Sequence, residues 1–265
     1  MEPVYSPVIT FARGLFAAEG LRFDVQGVEH VPASGGAVVM MNHLSYLDFA
    51  YAGYAALPAK RYIRFMCKDS IFSHPVAGPL MRGMKHIPVD RENGGASFRA
   101  ALTALKAGEL VGVFPEATIS RSYELKDFKS GAVRMAQAAR VPILPMVLWG
   151  SQRVWTKGHP KRLGRTNTPI VIRIGEPIPV ARTEKADVAL DRVKATMQAM
   201  LDDVRRGYPS LSGDELKFVP ASMGGTAPTL AEASALDLAD AQARRAARGS
   251  AADPAEPIAP PPEGS

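Results

Sequence analysis

The sequence predicts an α/β fold: a single domain with a mostly parallel or mixed central sheet flanked by helices. Short apolar, often β-branched segments alternate along the chain with longer segments of helical spacing. That alternation is the pattern of strands joined by helices that cover a sheet. The chain has 265 residues and 46% hydrophobic content, enough for one large α/β domain with a substantial core.

The first element is an amphipathic helix over residues 1–20. Ser6 before Pro7 reads as a cap followed by a first-turn proline. Val8, Phe11, Ala12 and Leu15 follow helical spacing, Ile9 and Phe16 widen the apolar face, and Arg13 interrupts it. Gly20 is placed to end the helix. Such a helix suits a membrane interface and equally suits packing on its own domain.

Six strands are predicted, over residues 37–41, 62–67, 86–89, 110–114, 143–148 and 170–174. The intervening helices are predicted over 46–56, 95–107, 130–140 and 183–206. The domain is expected to span 21–225, since no Phe, Tyr or Trp follows Phe218. Thr229 and Glu232 form a capping box that opens a helix within 226–248. Residues 249–265 are proline-rich and predicted to be disordered.

Net charge is +6, unevenly spread. Residues 226–265 hold three Arg against six Asp or Glu, so residues 1–225 carry +9. A basic body suggests an anionic partner. Between Ser151 and Pro169 lie Arg153, Lys157, Lys161, Arg162 and Arg165 beside Trp155, with no acids. This composition suits an anionic membrane surface, a polyphosphate-bearing donor or a solvated loop. Nucleic acid is not indicated: no helix-turn-helix, zinc-finger or aromatic RNP pattern occurs. One cysteine, Cys67, excludes a disulfide framework and a multi-cysteine metal site, and reads as core. No stretch reaches the ~18 apolar residues of a spanning helix, and the N-terminus lacks a signal-peptide pattern. A cytoplasmic chain, soluble or lying on a membrane, is the expectation.

The sharpest motif is Asn42-His43-Leu44-Ser45-Tyr46-Leu47-Asp48, just after a strand. On a regular helix, His43 and Asp48 would point ~140° apart. They meet only if His43 sits in the turn before the helix and Asp48 in its first turn. Ser45 as N-cap and Asp48 as its partner three residues on would produce that arrangement. Asp48 would then orient His43 to take a proton from an attacking hydroxyl. The same residues also read as an ordinary capping pair beside a turn histidine.

Three further segments sit at strand ends, where α/β folds place ligands. Gly83-Met84-Lys85-His86-Ile87-Pro88-Val89-Asp90-Arg91 ends in an acid–base pair, and Arg91 has the planar fork that binds phosphate. Val113-Phe114-Pro115-Glu116-Ala117-Thr118-Ile119-Ser120-Arg121 stops a buried strand with a carboxylate and two hydroxyls. Glu116 is placed there to accept acceptor hydroxyls or to pin a nearby Arg. Val141-Pro142-Ile143-Leu144-Pro145 is an apolar strand bracketed by prolines.

Taken in order, these four segments resemble the motifs of the glycerolipid acyltransferase family, particularly its bacterial 1-acylglycerol-3-phosphate acyltransferases. His43 and Asp48 match the family's His-four-residues-Asp motif, and Phe114-Pro115-Glu116 matches the start of its third. The resemblance covers residues 27–179. In the third motif Ala117 replaces the usual glycine and Ile119 the usual arginine, with Arg121 two residues later.

The resemblance implies a glycerolipid acyltransferase-like fold and acyl transfer from acyl-CoA or acyl carrier protein to a lysophospholipid hydroxyl. 1-Acylglycerol-3-phosphate would be the acceptor and phosphatidic acid the product, with a glycolipid or other polyol lipid as the alternative acceptor and thioester hydrolysis as the alternative reaction. His43 is the implied general base, oriented by Asp48. Asn42, Ser45, Arg91, Glu116, Thr118 and Arg121 are the candidate acceptor contacts, with Arg91 and Arg121 sharing its phosphate. Neither metal nor cofactor is implied. The expected location is peripheral, on the cytoplasmic face of the cell membrane.

Overall fold

The computed structural model describes residues 4–90 and 94–251. In chain order the elements are α1 (Tyr5–Ala18), β1 (Arg22–Gln26), β2 (Ala37–Met41), α2 (Asp48–Ala56), β3 (Ile63–Lys68), α3 (Ala77–Gly83) and β4 (Ile87–Val89). They continue with α4 (Gly94–Lys106), β5 (Leu110–Val113), α5 (Gly131–Ala139), β6 (Ile143–Trp149), β7 (Pro169–Ile174), α6 (Ala186–Gly207) and α7 (Leu230–Ala251).

The seven strands form one mixed sheet in the order β1-β7-β6-β2-β5-β3-β4. Every pairing is parallel except β6 with β7. The central strands are buried on both faces, so they read as continuous apolar runs rather than alternating ones. Successive residues of β2 feed opposite sides. Val38 and Met40 join Leu105 of α4, Val133 of α5 and Val193, Met197 and Leu201 of α6. Ala37, Val39 and Met41 join Phe16 of α1 and Tyr51, Ala52 and Ala55 of α2. The result is a three-layer α/β domain, as predicted.

The six predicted strands form within a residue or two of their expected bounds. β1 is not among the predicted strands because its burial alternates weakly over a polar sequence, and it gains a partner only by pairing with β7 at the far end of the domain. α3 is a two-turn helix too short to show a period.

α1 packs through Tyr5 and Phe16. The Tyr5 hydroxyl donates to the Ile63 carbonyl at 2.9 Å, and Phe16 lies against Phe23 and Tyr51. Its cap position is Val4 rather than Ser6, and Ser6 and Pro7 lie inside the first turn. Phe11, 74% exposed, and Leu15 face outward. At the other end of the chain, the Thr229–Glu232 capping box forms as predicted. The helix it opens continues to Ala251, three residues into the predicted proline-rich tail, whose residues 252–265 lie outside the described residues.

Candidate active site

β2, β5 and β6 are parallel neighbours, so the segments that follow them emerge at one edge of the sheet. After β2, Asn42 is fully buried and locks the chain sideways. Its amide donates to the Leu148 carbonyl at 2.9 Å and accepts the Leu148 N–H at 2.8 Å. The next residues turn back on themselves around Asp48. One oxygen, Oδ2, accepts the Leu44 N–H at 2.6 Å and the Ser45 N–H at 2.7 Å, and lies 3.0 Å from His43 Nδ1. Asp48 is fully buried, whereas the His43 ring keeps 19% of its surface exposed.

The two side chains therefore meet in the way their spacing requires, with His43 in the turn and Asp48 in the first turn of α2. The cap differs from expectation. Regular helix starts at Asp48, with Leu47 at the cap position. Ser45 still accepts the Leu47 N–H at 3.1 Å, but its hydroxyl donates to the Trp155 carbonyl at 2.7 Å, which pulls the turn toward the segment after β6.

Glu116, after β5, reaches the same turn. Its Oε1 accepts the His43 backbone N–H at 3.0 Å and its Oε2 accepts the Lys126 N–H at 3.3 Å. Burial pushes its carboxyl up to about 8, although both backbone donors and the charge of Lys126 oppose the shift. The Ser120 N–H donates to the His43 carbonyl at 2.8 Å, so a second bond ties the segment after β5 to the histidine turn. Phe114 stacks on the imidazole with ring centres 4.1 Å apart. Ala117 adopts φ 61°, in the left-handed region. This accounts for the glycine that the resemblance leads one to expect there, since a Cβ at such a φ costs about 1–2 kcal/mol. Ile119 is buried.

The six candidate acceptor contacts divide into three groups. Asn42, Ser45 and Glu116 are buried and bonded to backbone, so they hold the shape of the turn. Thr118 and Arg121 are engaged by α7. Thr118 Oγ1 donates to Asp237 at 3.3 Å, and Arg121 Nη2 lies 2.8 Å from Asp240 Oδ2. Arg91 lies outside the described residues.

Two cations that were not singled out as acceptor contacts join Arg121. Lys126 Nζ donates to Thr118 Oγ1 at 2.7 Å and pairs with Asp237, and Lys157 pairs with both Asp237 and Asp240. Lys157 was visible only as one charge among five in a basic loop. That loop is not a free cationic face: Arg153 and Arg162 both pair with Glu215, and Lys161 lies over the Trp155 ring. Gly150 begins it at φ 92°, and a Cβ there would meet the Pro169 carbonyl oxygen at 2.1 Å, so the turn admits only glycine.

His86, in the second motif, is buried and its Nδ1 accepts the Phe65 N–H at 3.1 Å. Burial, with the nearby charge of Arg64, pushes its imidazole down to about 4, so it stays neutral in the core. Between α1, α2 and β3 lies an open cleft, lined almost wholly by apolar groups that include Val8, Phe16, Phe49, Tyr54 and Phe65. Phe65 also stacks on Phe114, which stacks on His43, so an aromatic row connects the pocket wall to the imidazole.

Known proteins resemble this chain in sequence and in fold. A family model described as Acyltransferase matches residues 22–149. The 1-acyl-sn-glycerol-3-phosphate acyltransferase of Bacillus subtilis is 31% identical over 191 residues, which is 71% of this chain and 86% of that protein. The chloroplastic 1-acyl-sn-glycerol-3-phosphate acyltransferase LPAT1 of Arabidopsis thaliana is 29% identical over 68% of this chain, and the match covers about half of its length, 49%. In fold, the chain is similar to the crystal structure of the 1-acyl-sn-glycerophosphate acyltransferase PlsC from Thermotoga maritima. The TM-score is 0.64 at 20% identity, covering 77% of this chain and 81% of that one.

Proposed function

This chain belongs to the acyltransferase family and is an O-acyltransferase, and from that premise we propose that it moves a fatty acyl group from acyl-CoA or acyl carrier protein to the free hydroxyl of 1-acylglycerol-3-phosphate, giving phosphatidic acid. The observation that carries this reading is the His43–Asp48 pair: a buried carboxylate holds Nδ1 of a partly exposed imidazole at the sheet edge where the segments after β2 and β5 converge.

In the proposed reaction, His43 Nε2 takes the proton of the acceptor hydroxyl as its oxygen attacks the thioester carbonyl carbon. Asp48 fixes the ring orientation and stabilises the imidazolium. The tetrahedral intermediate collapses with cleavage of the carbon–sulfur bond. The leaving thiolate receives the proton held on His43, and ester and free thiol depart with no acyl-enzyme. Phe114 fixes the tilt of the imidazole by stacking, and Glu116 fixes the backbone beneath it. The apolar pocket beside Phe49 and Phe65 suits an alkyl chain, since burial of each methylene contributes about 0.8 kcal/mol.

The proposed location is peripheral, on the cytoplasmic face of the cell membrane and against anionic lipid. Among the described residues no helix is long and apolar enough to cross a membrane. The exposed Phe11 and Leu15 of α1 and the +9 charge of residues 1–225 support attachment to such a surface.

The test is to incubate pure protein with acyl-CoA or acyl carrier protein and a panel of lysolipids, following thiol release and product mass. The reading expects diacyl product with 1-acylglycerol-3-phosphate and no thiol release without acceptor. Product only with glycolipid or other polyol acceptors would reassign the substrate. Free fatty acid released without any lysolipid would make the protein a thioesterase.

A further inference from the structure

Arg121, Lys126 and Lys157 come from two separate segments, yet their cationic ends converge on the same two carboxylates. Their side chains are only 16%, 18% and 13% exposed. Both segments are bonded to the histidine turn. Lys126 donates its N–H to Glu116, which accepts the His43 N–H, and Lys157 follows Thr156, whose hydroxyl donates to the Leu44 carbonyl at 2.6 Å. The cluster therefore belongs to the same rigid edge as His43.

Without the carboxylates this edge would hold three convergent cations, with the Thr118 hydroxyl beside Lys126. That arrangement is unfavourable unless an anion is present. Asp237 and Asp240 supply the anion from α7, of whose described side chains few others pack on the body. Ala233 is buried, but Leu236 and Leu238 on the same helix are 44% and 61% exposed. The bonds from Lys157 and then Arg121 hold the Asp240 carboxyl down at about 2, and those from Lys126 and Lys157 hold Asp237 below the usual carboxylate range despite its burial. Both are therefore charged at neutral pH. Two carboxylates bring two negative charges and four oxygens, close to what a phosphate monoester brings with its ≈ −1.5 to −2 charge.

We propose that α7 competes with the acceptor: it presents Asp237 and Asp240 to Arg121, Lys126, Lys157 and the Thr118 hydroxyl as an intramolecular substitute that a phosphate monoester on the acceptor displaces. The proposal rests on acyl transfer to a phosphate-bearing acceptor. It makes α7 a competitor of substrate: the apparent affinity for the acceptor is reduced by the fraction of time the carboxylates are docked.

The test uses the full chain in two arms. In the first, hydrogen exchange at the amides of residues 230–243 is followed in the unaltered protein with glycerol 3-phosphate, with inorganic phosphate, and with glycerol in sodium chloride at matched ionic strength. Exchange should quicken about tenfold with glycerol 3-phosphate and stay unchanged with glycerol and salt. Quickening by inorganic phosphate as well would show that the phosphate group itself is read, and quickening by the ester alone would show a headgroup site; either supports the proposal. No change with either phosphate compound, or equal change with salt, overturns it. In the second arm, the D237N/D240N variant should show a KM for 1-acylglycerol-3-phosphate about tenfold lower, with the KM for phosphate-free 1-acylglycerol and for the donor unchanged. An unchanged or raised KM for the phosphate-bearing acceptor overturns the competition. If the protein acylates no phosphate-bearing acceptor, the functional reading fails, while the exchange arm still decides whether phosphate displaces α7.

Discussion

Asp48 Oδ2 and His43 Nδ1 lie 3.0 Å apart, and the same oxygen accepts the backbone N–H groups of Leu44 and Ser45. One buried atom thus shapes the turn and orients the imidazole. His43→Ala should lower kcat by about 10²–10⁴-fold with the fold intact. Asp48→Asn should leave the backbone bonds largely in place, since an amide oxygen still accepts, and yet reduce kcat heavily because the charge facing the imidazolium is gone. Near-normal turnover in either folded variant would remove the proposed base.

Glu116 offers a test of positioning against substrate contact. Glu116→Gln places an amide NH₂ against one of two backbone N–H donors, leaving a buried donor unsatisfied at about 1–3 kcal/mol. We expect a lowered melting temperature and a lowered kcat, with the acceptor KM nearly unchanged. A large rise in acceptor KM at normal kcat would mean that the carboxylate meets the acceptor directly.

α1 has two apolar faces with different jobs. Phe16 is 5% exposed and packs on Tyr51, so Phe16→Ala should cost about 3–5 kcal/mol. Phe11 faces outward, so Phe11→Ser should leave the melting temperature unchanged and weaken sedimentation with anionic vesicles. Unaltered vesicle binding by Phe11→Ser would take α1 out of the membrane contact. Deleting residues 1–20 would mix both effects, because Tyr5 and Phe16 complete the core.

The pH dependence of stability has a defined sign at His86. Burial holds its folded value down at about 4, below the ordinary value near 6.5. The unfolded chain therefore binds the proton first as pH falls. Stability is complete above about 6.5 and is lost progressively toward about 4, by about 3 kcal/mol in all. Glu116, raised to about 8, acts in the opposite sense: its contribution is fullest below about 4.5 and declines as pH rises through about 8. The clean readout is the difference between the unaltered protein and His86→Gln, which keeps an acceptor for the Phe65 N–H. That difference should shrink from pH 7 to pH 4, and a pH-independent difference would contradict the buried, neutral imidazole.

Much of this molecule was legible one residue at a time. The central strands are buried on both faces, so β2, β5 and β6 appear in the sequence as unbroken apolar runs. The His43–Asp48 meeting was legible because both residues lie within one turn, and the geometry of a strand running into a helix leaves one arrangement that joins them. The Thr229–Glu232 box was legible for the same reason: it is local. β1 was hidden because its five polar-alternating residues become a strand only through β7, more than 140 residues away.

What each polar side chain does was decided by the tertiary structure. Asn42, Ser45 and Glu116 sit in motif positions that suggest substrate contact, and in the folded chain, where buried polar groups must be bonded, they bond the backbones of Leu148, Trp155, His43 and Lys126. Lys126 carries no signal in the sequence and Lys157 only that of a basic loop, because a cation's partner depends on which distant segment folds beside it. Only the docking of α7 brings Asp237 and Asp240 within 3 Å of Lys157. The sequence by itself determined the layered fold and the histidine–aspartate pair, since both follow from periodicity and short spacing. The tertiary structure decided the fate of the charges around them, since electrostatic partners are set by proximity in space across loops whose length places no limit on where they meet.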